Sequence, residues 1–275
     1  MSYHHYESVR IPGFIRYIAD LLRFRHLCWN LVGSDLRARF RRSRIGVFWA
    51  VIQPLAFALL IAWTWGTLLK TEDYWSFAVY VFAGMLVWEY FSNTLNGSLD
   101  ALTGAAGYLR QARVPLVVFQ ARVPLTGMVT FLAGMVGLLA MLAVLGKFPS
   151  LSWNLALVAA FPFILIIFFL PVAVIFSVLG AQFRDLRHIV QIGLQALLFV
   201  SPVMFERAMF NDERLIILQF VNPLFPLLDM LRAPLLYDRG WTNAELMTLG
   251  AWAGLLWLAS FLFAGRAGRK IVFAL

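Results

Sequence analysis

Residues able to do chemistry are few in this chain, and their spacing excludes most enzymes. The four histidines stand at positions 4, 5, 26 and 188. Apart from the terminal His4-His5 pair, they lack the close spacing that lets two imidazoles share one metal ion. The one cysteine, Cys28, excludes an intrachain disulfide and a thiolate cluster. Asp35, Glu89, Asp100 and Asp185 are scattered too widely to argue for a paired acid and base. No G-x-x-x-x-G-K-[ST] phosphate loop, H-E-x-x-H or G-x-S-x-G occurs. The chain is therefore expected to be non-catalytic and to hold no metal or cofactor of its own.

What the sequence does offer is amide and aromatic side chains at helical spacing inside apolar runs. Trp49, Gln53, Phe57, Leu60 and Thr64 fall on one face of a helix, and Gln191, Gln195, Phe199 and Pro202 fall on one face of another. Facing lipid, such groups waste their hydrogen bonds. They read either as interhelical glue, each bond contributing under roughly 2 kcal/mol, or as the wall of a pathway in which aromatic faces and amides handle carbohydrate. Glu89, in W-E-Y, reads either as a snorkelling interfacial acid paired with a loop arginine or as a functional group.

The elements that must carry these residues are membrane helices. The 275 residues are 61% hydrophobic and 13% charged, against about 45–50% and about 25% in an ordinary soluble domain. Six stretches, 47–69, 76–95, 123–146, 155–180, 189–205 and 244–265, approach the roughly 17–25 apolar residues that a bilayer crossing needs. The fifth is short and rich in Gln and Pro, and Pro162 and Pro171 are expected to bend the fourth. No cleavable signal peptide is visible, because the first apolar run follows a long polar and amphipathic start.

Net charge +9 suggests nucleic acid in a soluble protein, but arginine blocks set against apolar runs are orientation signals instead. Five arginines lie between Arg37 and Arg44, directly before the first run. With the N-terminus inside, Arg10, Arg16, Arg23, Arg25, Arg110, Arg113, Arg122, Arg184, Arg187, Arg266, Arg269 and Lys270 also fall on the cytoplasmic side. Lys70, Lys147, Arg207, Arg214, Arg232 and Arg239 fall outside, diluted by acids, so both termini are expected in the cytoplasm.

Residues 14–32 read as an amphipathic helix with Arg16, Asp20, Arg23, His26 and Asn30 on one side and Phe14, Ile18, Leu21, Leu22 and Leu31 on the other. It is expected either in the inner membrane interface or packed on a partner. Inside, 96–122 is expected to hold a short helix capped by Ser98 or Asp100 and ended by Pro115. Outside, the bursts 215–220 and 224–236, broken by Asn222-Pro223 and Pro226, are too short to span and are expected to dip into the bilayer as re-entrant or interfacial helices.

Several segments together carry a family resemblance: R-x-R-F-R-R-S-R-I-G-x-F-W-x-x-I-Q-P-L at 37–55, W-E-Y-F-S-N-T-L at 88–95, G-Y-L-R-Q-A-R-V-P at 107–115, F-R-D-L at 183–186, S-P-V-M-F at 201–205 and N-P-L-F-P-L at 222–227. In collinear order they resemble the membrane subunit of polysaccharide ABC exporters of the ABC-2 type, which export O-antigen, capsule and teichoic-acid chains. The resemblance implies an all-α permease in the cytoplasmic membrane, residues 1–45 forming a cytoplasmic N-terminus and 46–275 a six-span domain. It implies a homodimer, two separate nucleotide-binding subunits that hold ATP and Mg, and an undecaprenyl-diphosphate-linked polysaccharide as cargo; another lipid or a small molecule is the alternative cargo. By the same analogy Ala101, Tyr108, Leu109, Arg110 and Arg113 contact the ATPase, and Arg16, Asp20, Arg23 and His26 belong to the interface helix. Asn222, Pro223, Phe225 and Pro226 form the outer gate, and the first and fifth spans line the conduit. Gln111-Ala112 and Val114 depart from the more basic or aromatic pattern of many relatives.

Overall fold

A computed structural model of the protein describes residues 14–41, 43–68, 73–111, 114–149 and 152–274, without the side chains of 14–16, 110 and 264–274. Every regular element among them is helical: α1 (Phe14–Arg23), α2 (Arg25–Arg39), α3 (Trp49–Leu68), α4 (Tyr74–Leu99), α5 (Ala106–Gln111), α6 (Leu116–Val144), α7 (Trp153–Gln182), α8 (Leu186–Phe199), α9 (Leu218–Val221), α10 (Leu224–Leu236) and α11 (Asn243–Ala274). Short 3-10 turns cover Gly46–Phe48, Thr103–Ala105 and Arg207–Phe210.

Four helical stretches, Gly46–Leu68, Leu116–Val144, Trp153–Gln182 and Asn243–Phe263, are long and apolar enough to cross a membrane. They carry the first, third, fourth and sixth expected runs. The second run is α4, long enough at 26 residues, but its tryptophans, tyrosines, asparagines and Glu89 dilute its apolarity. The fifth run is cut short. Its helix, α8, has 14 residues, or about 21 Å of rise against a hydrocarbon core of about 30 Å, because the chain leaves the helix after Phe199 and turns through 200–205. Pro162 and Pro171 sit inside α7, which stays one 30-residue helix.

At the centre lies α4, packed against α3, α6, α7, α8 and α10. Every residue from Phe77 to Trp88 is buried. Small residues let its neighbours come close, as membrane helices require when lipid supplies no hydrophobic drive. On α3 the buried face is Pro54, Ala58, Ala62 and Gly66, and a methyl on Gly66 meets the Tyr74 ring at 3.0 Å. Between α4, α6 and α7 an aromatic cluster interlocks edge to face: the Tyr90 ring meets Phe131 at 5.9 Å and Phe169 at 5.1 Å. Gln120 of α6 donates to Ser177 of α7 at 3.0 Å, both buried.

A second apolar cluster closes one end of the bundle, joining Tyr17, Cys28 and Leu31 to Leu102, Ala105, Val118 and Val174. The expected helix over 14–32 is thus two helices, parted at Phe24, and the second runs on to Arg39. Burial pushes the Cys28 thiol up to about 11, Arg122 opposing, so this cysteine is a packing residue. Asp35 of α2 pairs with Arg122 of α6 at 3.5 Å, its carboxyl raised by burial and held down in part by that arginine.

Candidate functional site

Gly46 starts the approach to the site. It adopts φ +59, the left-handed region that favours glycine, and its amide donates to the Ser43 hydroxyl at 3.1 Å. This turn leads the chain into α3. The face of α3 opposite its small-residue stripe holds Trp49, Gln53, Phe57 and Thr64, all exposed, with Trp49 45% and Phe57 38% accessible. On α8, Gln191, Gln195 and Phe199 are likewise exposed, while Val190, Leu194, Leu197 and Leu198 turn toward the core. The two stripes therefore lie on bare faces of two helices that both pack on α4. Only Thr64 has its hydroxyl engaged, donating to Leu60 O at 2.9 Å. Pro54, next to Gln53 in sequence, points the other way and is buried within a continuous helix.

The connection that follows α4 is short and anchored. Ala101, Leu102 and Ala105 are buried, whereas Tyr108 is 54% exposed with its ring 6.1 Å from that of Phe119. Leu109 is half-buried against the inner cluster. The Arg110 side chain and Arg113 lie outside the described residues. Neither expected cap forms: the Ser98 hydroxyl donates back to Thr94 O at 2.5 Å, and the Asp100 carboxylate pairs with Arg187 of α8. In α1 and α2, Arg23 and His26 are exposed and Asp20 half-buried, with the Arg16 side chain outside the described residues.

On the opposite side, Asn222, Phe225 and Pro226 are buried and Pro223 half-buried. Asn222 stands before α10. Its Nδ2 donates to Ser201 Oγ at 2.7 Å, and its Oδ1 accepts from Leu224 N at 3.0 Å, an Asx turn that starts the helix. Phe225 meets Phe210 edge to face at 5.1 Å. α10 itself, 13 residues, is buried along nearly its whole length between α4, α7 and α11. By contrast Leu215, Ile216, Ile217 and Phe220 of the first burst are exposed.

Arg232 is the residue that sequence reading missed. Counted above among the outer loop charges, it is 1% exposed, with its guanidinium 3.5 Å from the centre of the Tyr80 ring. It donates to Pro202 O at 2.5 Å, Tyr80 O at 3.0 Å and Val203 O at 3.0 Å. Gly84 makes room, since a Cβ there falls 2.3 Å from Arg232 Nη2 and 2.6 Å from Val203 O. Carbonyls released where α8 ends cannot stay unpaired in an apolar setting, and Arg232 takes two of them. The signal was present: a cation inside the apolar burst L-L-D-M-L-R-A-P-L-L. Neighbouring Asp229 disguised it, but that acid pairs with Arg207.

A bundle with a tight centre, two bare amide-aromatic faces and the connections at its two ends tied to the same central helix suits a transport domain, and comparison with known sequences agrees. The profile of the ABC-2 type transporter family matches residues 26–236. The chain belongs to that family. Similar proteins include the O-antigen export system permease protein RfbA of Myxococcus xanthus, 29% identical over 255 residues that cover 92% of this chain and 96% of the relative. A protein of the same name from Klebsiella pneumoniae is 26% identical over 90% of this chain and 92% of its own. The polysialic acid transport protein KpsM of Escherichia coli is 28% identical over 62% of this chain and 66% of its own.

Proposed function

We propose that this ABC-2 chain is the permease of an ATP-driven exporter that moves lipid-linked polysaccharide of the O-antigen kind across the cytoplasmic membrane. It works as a homodimer of six-span subunits with both termini in the cytoplasm. α4 supplies the second span, and α8 with the turn after it supplies a short fifth. Two nucleotide-binding subunits hold ATP and Mg and dock on Ala101, Tyr108, Leu109, Arg110 and Arg113. Arg16, Asp20, Arg23 and His26 lie at the inner interface. Asn222, Pro223, Phe225 and Pro226 belong to a re-entrant outer gate, and the cargo is carried on undecaprenyl diphosphate.

The observation that carries the reading is the pair of bare stripes, Trp49-Gln53-Phe57-Thr64 and Gln191-Gln195-Phe199, on helices that share α4 as their support. Aromatic faces and amides bind sugar rings, and one chain leaves both stripes open for a conduit shared with its second copy. Two measurements test the proposal: purification of the chain from its native membrane with an ATPase that carries a phosphate loop, and the surface polysaccharide of a strain lacking the chain. Co-purification and loss of surface polymer, restored by the gene, are expected. Normal surface polymer in the deletion strain contradicts the cargo.

A further inference from the structure

Of the 14 residues of α8 only Leu194 is buried, yet both ends of this nearly bare helix are fastened to α4. At the inner end Arg187, in the first turn, pairs with Asp100, the C-cap of α4 and the root of the cytoplasmic connection. The pair borders a recess of about 240 Å³ lined also by Thr103, Phe183 and Arg184. Its floor is rigid. Gly180 of α7 touches the α4 backbone so closely that a Cβ there lies 2.3 Å from Leu99 O.

At the outer end the turn after α8 is held by two residues of the α10 segment. Arg232 binds the carbonyls of Pro202 and Val203 and, with the same guanidinium, that of Tyr80 in α4. Asn222 binds Ser201. An α-helix is stiff over a length of about 21 Å, so a rod pinned at both ends cannot move without its anchors. α3 meets α4 through its small-residue face and one hydrogen bond at a single end, Tyr74 Oη donating to Leu59 O at 3.3 Å, and its exposed flank faces away from α4.

We propose that α4, α8 and α10 move as one body that carries displacement of the cytoplasmic connection to the outer segment, with Arg187 and Arg232 as the positioning residues at its two ends. The proposal rests on the permease reading above. Rigid-body displacement is a standard way for packed helices to switch.

The experiment uses the full transporter, permease and ATPase, reconstituted in vesicles, with ATP hydrolysis and polymer export read together. Arg187→Glu should lower export about tenfold while hydrolysis continues, the upper part of the range for residues that modulate coupling. Adding Asp100→Arg should restore export, because an exposed pair has little effect on folding and only the link is being exchanged. Unchanged export in the single variant, or no recovery in the double, overturns the inner latch. For the outer latch, Val200→Cys and Val221→Cys, the exposed neighbours of the Ser201 to Asn222 contact, are joined in a Cys28→Ser background by the shortest bifunctional thiol reagent that links them. Joined transporter should keep exporting; arrest on joining overturns the single body. Wild-type vesicles that hydrolyse ATP without moving polymer count against the cargo reading, and the body is then judged by spin labels. The Ile192 to Tyr237 distance should hold through ATP binding while Ile192 to Trp63 changes, and a changing Ile192 to Tyr237 distance overturns the proposal.

Discussion

α4 and α8 both carry polar and aromatic side chains through an apolar setting, yet α4 is enclosed on all sides and α8 is almost bare. On α4 the buried tyrosines and Ser98 are answered within the bundle: Tyr90 donates to Pro124 O at 3.2 Å, Tyr80 to Phe205 O at 3.1 Å, and Ser98 to Thr94 O at 2.5 Å. On α8 the amides of Gln191 and Gln195 are exposed. The contrast separates two uses of polarity in one membrane protein. Polar groups of the centre hold the bundle together, while those of the rim are open to a ligand or a second subunit.

The sharpest way to break the contrast is to add volume on each side of it. Gly180→Val drives side-chain atoms into the Leu99 backbone, and overpacking of this kind destabilises by about 3 kcal/mol or more, so most of the protein should be lost from the folded, detergent-soluble fraction. Gly193→Val on α8, where nothing lies within 4 Å, should leave the melting temperature in detergent close to wild type, within about 0.5 kcal/mol of stability. Equal losses would show that α8 is packed as tightly as α4.

At the inner end, Tyr108→Ala with Arg110→Ala should leave the permease inserted and dimeric while its ATPase no longer co-purifies. Retained association and normal polymer export would remove these residues from the docking surface. Shifting the Arg110 cation by one residue separates docking from a role as orientation signal alone: topology tolerates the shift, docking does not.

On the outer side, cysteines placed singly in a Cys28→Ser background should divide by burial. Those at Asp212 and Asp238, both exposed, should react with an impermeant thiol reagent, and one at Leu228, 1% exposed, should be protected. Fast labelling at Leu228 would mean that α10 lies in a loop open to water.

The smallest expected effect concerns Asp73 at the start of α4. The Lys147 ammonium, with the Ser76 amide and hydroxyl, holds this carboxyl well below the usual carboxylate range. A depressed pKa adds stability above the ordinary range and loses it as pH falls through the lowered value. The pair is exposed and its contribution slight. Asp73→Asn should lower the melting temperature slightly at neutral pH and not below the lowered value, so that the acid limb of the profile flattens a little; an unaltered acid limb would contradict the linkage.

Where a helix repeats its pattern over several turns, sequence located it well. The Trp49 to Thr64 stripe and the small residues behind it are both written at helical spacing, and the structure puts them on opposite faces of α3. Breaks were harder to read, because they are decided by distant partners. Phe199 ends α8 where Arg232 and Asn222 take over the following carbonyls, Arg232 lying 30 residues beyond Pro202. The parting of α1 from α2 at Phe24 fits two separate contacts, Tyr17 edge-on to Trp257 and Cys28 against Val118, neither of which local pattern could announce. The third run begins at Leu116 and not at 123, since Pro115 starts a helix as readily as it ends one.

The central claim, that the bare faces of α3 and α8 serve transport and not assembly, is tested most directly by scoring surface polymer and detergent-resistant dimer on the same Gln53→Leu and Gln195→Leu variants. Interhelical hydrogen bonds in membranes contribute about 0.6 kcal/mol on average, so loss of glue would weaken the dimer first. A normal amount of dimer with little surface polymer is the predicted result. Loss of dimer with a proportionate loss of polymer would contradict it.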